Sequence, residues 1–238
     1  MPFEASFSTR YSTDDPQLFR EHLLGHYLPF DGLRANLVIS PTGTTVDAAG
    51  SSRGLSSPED HQLLLALREI SEVVIVSAKT AAAEQYSASK LSSIAILQGS
   101  SPLGTIPALN ENRAGSRPVL LVTHVSQLAQ NQHWLENPNV QLVGIESGKP
   151  GQLNLEEILS QLQALGLRRQ LLEAGVSMAS EFLEQQLIHR FCLSTISDSK
   201  LDFELHSKRL TDLGSTEHRQ LISWRSSNGI FSEWECVR

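Results

Sequence analysis

The chain has 238 residues, 40% of them hydrophobic and 19% charged, enough apolar material for one large core or two small ones. Its 19 basic and 26 acidic residues leave a net charge of −7, which excludes the electrostatic footprint expected of a nucleic-acid or anionic-membrane binder. No apolar run approaches the roughly 20 residues that span a bilayer, and the start of the chain lacks a signal-peptide core, so a cytoplasmic, globular protein is expected. Two cysteines, Cys192 and Cys236, each in a strand-like segment, support neither a disulfide framework nor a multi-thiolate zinc site. The eight histidines form no HExxH; His22 and His26, four apart, read as a helix surface, and no metal is expected.

In chain order, residues 1–13 are polar, and Asp15-Pro16 opens a helix running to about Tyr27, with Asp15 as N-cap and Pro16 at the first position. Residues 1–32 are read as an N-terminal extension and 33–238 as the principal domain. Leu33 to Ile39 reads as a buried strand closed by Ser40-Pro41-Thr42-Gly43, and a Gly/Ser-rich loop follows to Gly54. Ser57-Pro58-Glu59-Asp60 starts a helix carrying Leu63, Leu64, Leu67 and Ile70, which hands over to a strand at Val73–Val76. Further strands are expected at Ser93–Leu97, Val119–Thr123, Gln141–Ile145 and Arg190–Ile196. Helices are expected at Ser126–Leu135, at Leu155–Leu165 with Asn154 and Glu157 as its cap pair, and at Val176–Gln185. Pro102–Pro118 reads as a loop. The tail pairs Arg219–Arg225 with Ile230–Val237 across Ser226-Ser227-Asn228-Gly229, an Asn-Gly hairpin signal. The fold class that follows is α/β, a mixed but mainly parallel sheet flanked by helices and ending in an antiparallel hairpin.

One junction carries chemistry. The apolar strand Arg169–Leu172 delivers Glu173 to its carboxyl end, followed by Ala174-Gly175 and a helix start at Val176-Ser177-Met178. Helix N-termini present unpaired N–H groups and the positive end of the helix dipole, and small residues let a phosphate approach them. An acid at that sheet edge is placed to bond a sugar hydroxyl or polar substrate. A strand, a glycine turn and a helix are also plain α/β architecture. The chain has no GxSxG, P-loop or GxGxxG motif.

Four ordered segments give a resemblance: Arg34-Ala35-Asn36-Leu37-Val38-Ile39-Ser40 with Gly43; Gly54-Leu55-Ser56-Ser57-Pro58-Glu59-Asp60; Val74-Ile75-Val76-Ser77-Ala78-Lys79-Thr80 through Glu84-Gln85-Tyr86; and Leu171-Leu172-Glu173-Ala174-Gly175. In these the chain resembles the riboflavin-biosynthesis pyrimidine reductases, the C-terminal reductase domain of the bifunctional deaminase-reductases, with a dihydrofolate reductase-like fold. The zinc signature of the deaminase half has no counterpart. The resemblance implies an NADPH site including Val38, Gly54, Thr80, Glu84, Thr123 and the turn Gly175, Val176, Ser177, Met178. It implies a substrate site at Ser52, Arg68 and Glu173, with Glu173 in the catalytic role of holding the sugar or helping proton movement. By their own surroundings Thr80 reads equally as a turn residue, Glu84 as a helix-surface acid and Arg68 as a helix-end cation. The implied substrate is a phosphorylated ribosylamino-pyrimidine and the implied assembly a homodimer.

The chain departs from that pattern. Where the family has Ser-Leu-Asp-Gly, this sequence has Ser40-Pro41-Thr42-Gly43, so a central carboxylate becomes a hydroxyl. Glu-Gly-Gly becomes Glu173-Ala174-Gly175, the family glycine after Val76 is Ser77, and the basic residue for the substrate phosphate downstream of Tyr86 has only Lys90 nearby. The first reading is an NADPH-dependent reductase of the pyrimidine-reductase type, slowed or redirected by the missing acid; the alternatives are a catalytically impaired nucleotide-binding or regulatory paralogue and a reductase of another small carbonyl or imine.

Overall fold

The computed structural model describes residues 6–7, 15–45, 52, 54–99, 103–149, 151–197, 203–213 and 218–236. Along the chain, β1 is Ser6–Phe7 and α1 is Pro16–His26, whose cap forms as expected, the Asp15 carboxylate accepting from the N–H groups of Gln17 and Leu18. β2 (Gly32–Ile39) and α2 (Pro58–Glu69) follow, with Ser57 Oγ accepting from Asp60 N at 3.2 Å. Then come β3 (Val73–Ser77), α3 (Ala78–Ala83), β4 (Ser93–Leu97), α4 (Pro107–Asn110), β5 (Val119–His124) and α5 (Leu128–Asn131). The chain continues through β6 (Val140–Ile145), β7 (Gly148–Lys149), β8 (Gln152–Leu153), α6 (Leu155–Ala164) and β9 (Arg169–Glu173). It ends with α7 (Val176–Glu184), β10 (Arg190–Ile196), α8 (Phe203–Asp212), β11 (His218–Arg225) and β12 (Gly229–Cys236). The alternation is the expected α/β pattern.

The chain forms two compact units, one from Met1–Ile70 with Leu172–Arg238 and the other from Ser71–Leu171. In the discontinuous unit the strands run β1-β11-β12-β10-β2, with β2 and β10 parallel and β10, β12 and β11 successively antiparallel. α1 packs against α2 and buries Phe19, Leu23 and Tyr27. Trp224 stacks on Phe231 at 3.8 Å and donates its indole N–H to the Tyr27 hydroxyl at 3.0 Å, a partner that a buried indole needs. The same sheet holds an ion pair that is almost wholly buried: Arg34 Nε donates to Glu233 Oε1 at 2.8 Å, and its Nη2 donates to Leu28 O. Arg34 and Arg190 both lie over the Phe30 ring. Cys192 is a buried free thiol beside Glu233, and burial pushes it well above the usual thiol range.

The continuous unit is a parallel sheet, β3-β4-β5-β6. β3, β4 and β5 are buried on both faces, which explains their continuous apolar runs, whereas the edge strand β6 exposes Gln141. Val76, Ile94, Ile96, Val119, Leu121 and Val140 build the core with Ile106 and Leu109. Glu72 fastens the entry to β3: burial would raise its carboxyl, but the N–H groups of Arg169 and Arg168 and their charges outweigh that and hold it below the usual range.

Three local expectations are corrected. The single helix at Ser126–Leu135 is α5 between two 3₁₀ turns, Val125–Gln127 and Gln132–Glu136. Asn131 is drawn inward to donate to Gln98 Oε1 at 2.6 Å, and burying that amide takes precedence over helical continuity. Inside the expected loop Pro102–Pro118, Pro107 opens α4, which buries Ala108 and Leu109. Asn154 caps α6 as read, but Glu157 turns away to accept from the N–H groups of Glu146 and Ser147 at 2.8 and 2.9 Å. The hairpin forms as read, β11 antiparallel to β12, with no positive φ at Asn228 or Gly229. Gly229 is already in β12, and its missing side chain is explained by Ile196 Cδ1, which would lie 2.8 Å from a Cβ. The expected elements also lack the helices α3 and α8 and the short strands β1, β7 and β8.

Candidate functional site

The junction between β9 and α7 forms as its sequence suggests. Glu173 ends β9 buried, Ala174 is buried, and Gly175 is exposed at the N-cap of α7 with φ −69° and no side-chain cap. A Cβ added to Gly175 would meet nothing within 4 Å. Neither backbone conformation nor packing therefore requires glycine here, and among the described residues nothing packs over Gly175 at the start of this nine-residue helix. Ser177 is exposed, while Val176 and Met178 are half-buried.

Two residues assigned to substrate by resemblance meet each other. Arg68, in the last turn of α2, donates through Nε to Glu173 Oε1 at 2.7 Å and through Nη2 to Oε2 at 2.6 Å. This is a bidentate guanidinium–carboxylate fork, the geometry arginine provides and lysine does not. Both Glu173 oxygens are engaged. A carboxylate held in this fork is suited to accepting hydrogen bonds.

Elsewhere in the discontinuous unit, Val38 is a half-buried residue of β2 in register with Ser194. The carbonyl of Ser52 accepts from Leu55 N and Ser56 N, folding the turn that leads to α2, and Gly54 is exposed on that turn. The segment Ser40–Thr44 is a small closed loop. Thr42 Oγ1 lies 2.9 Å from Ser40 Oγ and 3.4 Å from Thr44 Oγ1, and Thr44 N donates to Ser40 Oγ. Gly43 has φ +88°, the left-handed conformation that favours glycine. Arg209 of α8 donates to Pro41 O at 2.6 Å, so a cation stands beside the loop where the family carries its acid. Asp47, a sequence alternative for that acid, lies outside the described residues.

In the continuous unit, Thr80 lies in the first turn of α3, where Ser77 Oγ accepts from Thr80 N and donates to Thr80 Oγ1 at 2.8 Å. Glu84 caps the far end of the same short helix, its N–H donating to Thr80 O. Thr123 is fully buried near the end of β5 and donates to Gln127 Oε1 at 3.1 Å. A ligand reaching Thr123 would meet its backbone, or would need Gln127 to turn away.

Two groups escaped sequence reasoning. Asp60, read only as a helix-start acid, is 4% exposed and accepts from Ser56 Oγ at 2.6 Å. Its motif position signalled a cap, and burial was the missing information. His206 of α8 is buried between Thr195 Oγ1 at 2.7 Å and Ser232 Oγ at 2.6 Å, and burial, then the Arg225 charge, lowers it to about 4. Among the described residues no cluster of three or more His, Cys, Asp or Glu could hold a metal ion, and no helix is long and apolar enough to cross a membrane.

The comparisons agree with this architecture. No curated protein sequence matches the chain. Its fold is similar to that of a pyrimidine reductase-like protein from Corynebacterium diphtheriae, at 21% identity and TM-score 0.65, covering 92% of this chain and 99% of the other. It is also similar to a diaminohydroxyphosphoribosylaminopyrimidine deaminase/5-amino-6-(5-phosphoribosylamino)uracil reductase from Thermotoga maritima, at 18% identity and TM-score 0.63, covering 87% of this chain and 57% of that longer one. The riboflavin biosynthesis reductase Rib7 from Saccharomyces cerevisiae aligns at 14% identity and TM-score 0.57, covering 94% and 100%. The family described as the RibD C-terminal domain matches residues 33–197, most of the chain, and the protein belongs to that family.

Proposed function

We propose that the protein is an NADPH-dependent reductase acting on a phosphorylated ribosylamino-pyrimidine, working as a cytoplasmic homodimer. Membership of the reductase-domain family supports the reaction class, and the start of α7 beside the Arg68–Glu173 fork, where nothing among the described residues packs over Gly175, is the observation that carries the reading. The residues fit a dinucleotide: with open space over Gly175, the backbone donors of Val176, Ser177 and Met178 would hold its pyrophosphate. Within the same unit, Val38 and Gly54 would join them in the cofactor site. When bound, the nicotinamide would supply a hydride, chemistry that needs no protein nucleophile. Glu173, fixed by Arg68, would accept hydrogen bonds from the sugar and hold its reacting carbon in place. Arg68 would meet the substrate phosphate, and Ser52 would bond the substrate from the turn before α2.

Calorimetric titration with NADPH tests this. The native protein should bind, and Gly175→Val should lose binding while melting at the native temperature, because the added side chain enters open space. Equal affinity in the two proteins would put the phosphate site elsewhere. A second reading, a nucleotide-binding paralogue with impaired catalysis, is favoured by the neutral Ser40–Thr42–Thr44 hydroxyl ring where the family has a carboxylate.

A further inference from the structure

Reduction of a carbon–nitrogen or carbon–oxygen double bond places a hydride on carbon and requires a proton on the heteroatom. The Arg68–Glu173 fork is poorly suited to give that proton, since both carboxylate oxygens accept from a guanidinium. A different acid is better placed. Asp60 sits in the first turn of α2, 4% exposed, and its Oδ2 lies 2.6 Å from Ser56 Oγ. Its Oδ1 and the hydroxyl of Ser194 are both buried and neither makes a well-formed hydrogen bond among the described residues, although the Ser194 hydroxyl acts on the carboxylate. A buried carboxylate oxygen so weakly bonded is costly, and a proton on the group removes most of that cost.

Its neighbours lead towards the proposed substrate site. Ser56 is half-buried and donates its N–H to the carbonyl of Ser52, the residue proposed to bond the substrate. Ser194 is in register with Val38, which is proposed to touch the cofactor. Burial raises the Asp60 carboxyl above the usual range. The hydroxyls of Ser56 and Ser194 and the charge of His61 pull it back, and Glu59 adds to the rise. These are the charged and polar groups of α2 and β10 that act on it.

We infer that Asp60 is the proton reservoir of the reductase site, delivering through the Ser56 hydroxyl the proton that the reduced substrate requires. This rests on the reductase reading above. With the Asp60 carboxyl protonated, the 2.6 Å contact reverses, Asp60 O–H donating to Ser56 Oγ and freeing the serine hydrogen; in the step, the Ser56 O–H bond breaks as a new N–H or O–H bond forms at the substrate. The Asp60 O–H proton moves along the 2.6 Å contact to refill Ser56, and the resulting carboxylate regains a proton from solvent. Asp60 thus acts through Ser56 as a positioning residue and not by touching the substrate.

The test uses the full chain with NADPH and the phosphorylated ribosylamino-pyrimidine. Asp60→Asn should lower kcat by about 10²–10⁴-fold with KM and NADPH affinity unchanged. It should also abolish the fall in rate that the native enzyme shows as pH rises through the Asp60 titration. Asp60→Glu should restore part of the rate, and Ser56→Ala, which leaves the buried acid in place, should lower kcat in the same direction. Independently of turnover, carboxyl NMR of protein carrying isotope-labelled aspartate should show one resonance, absent in Asp60→Asn, that titrates above the others. Titration of that resonance in the ordinary aspartate range, or an unchanged pH–rate profile in Asp60→Asn, overturns the proposal. A native protein that binds NADPH but turns over no such pyrimidine overturns the substrate reading, and the carboxyl titration still decides whether Asp60 stores a proton.

Discussion

At the scale of single residues, the Arg68–Glu173 fork changes what a mutation at Arg68 would report. Removing the guanidinium leaves Glu173 buried without that partner, at a cost of about 1–3 kcal/mol, so Arg68→Met confounds stability with recognition. Arg68→Lys keeps the charge and loses the fork. Its expected outcome is a raised KM for the phosphorylated substrate with NADPH affinity unchanged, checked by steady-state kinetics and calorimetry. Thr42 is the second informative position. A carboxylate there could accept from the Ser40 and Thr44 hydroxyls and would face Arg209, already bound to the same loop. Thr42→Asp should speed NADPH oxidation with the pyrimidine substrate, and efficient turnover by the native protein would show that the family acid is dispensable. The sequence made these positions visible through their motif context. It could not reveal that Arg68 and Glu173, 105 positions apart, bond each other, nor that the Asp60 carboxyl is closed off from solvent.

Among the elements, those whose ends are written in side chains were legible: Asp15-Pro16 for α1, Ser57-Pro58 for α2 and Asn154 for α6 all cap as read. α8 was hidden because its buried face rests on a histidine, His206, among charged neighbours, with Leu210 the other buried contact. That histidine makes the docking of α8 on β10 and β12 sensitive to acid. Its folded value, about 4, lies below the ordinary 6.5, so its contribution is complete above pH 6.5 and is lost as pH falls towards 4. The 2.5-unit difference corresponds to about 3 kcal/mol. Urea unfolding at a series of pH values should show this loss in the native protein and a flatter profile in His206→Gln. Since α8 also carries Arg209, acid should loosen the Ser40–Thr44 loop along with it.

For the molecule as a whole, strand-by-strand alternation conveyed the fold class, while the grouping of strands into units was not legible, because pairing across long separations leaves no local trace. β2 pairs with β10 in a register that joins Arg34 to Arg190, with the whole of residues 71–171 between them in the chain. Contacts of that separation form late, since the loop must be closed before they contribute. Refolding followed by Trp224 fluorescence, which reports the discontinuous unit, should therefore lag behind pulse-labelled amide protection in β3, β4 and β5. Simultaneous phases would contradict this. During synthesis the delay becomes a matter of clock time. β2 emerges 156 residues before its partner (190 − 34), which at about 5–20 residues per second is on the order of 10–30 s with that edge waiting. Through that interval Leu33, Ala35, Leu37 and Ile39 are a nascent apolar strand awaiting β10, and this is the stretch a ribosome-bound holdase would be expected to cover.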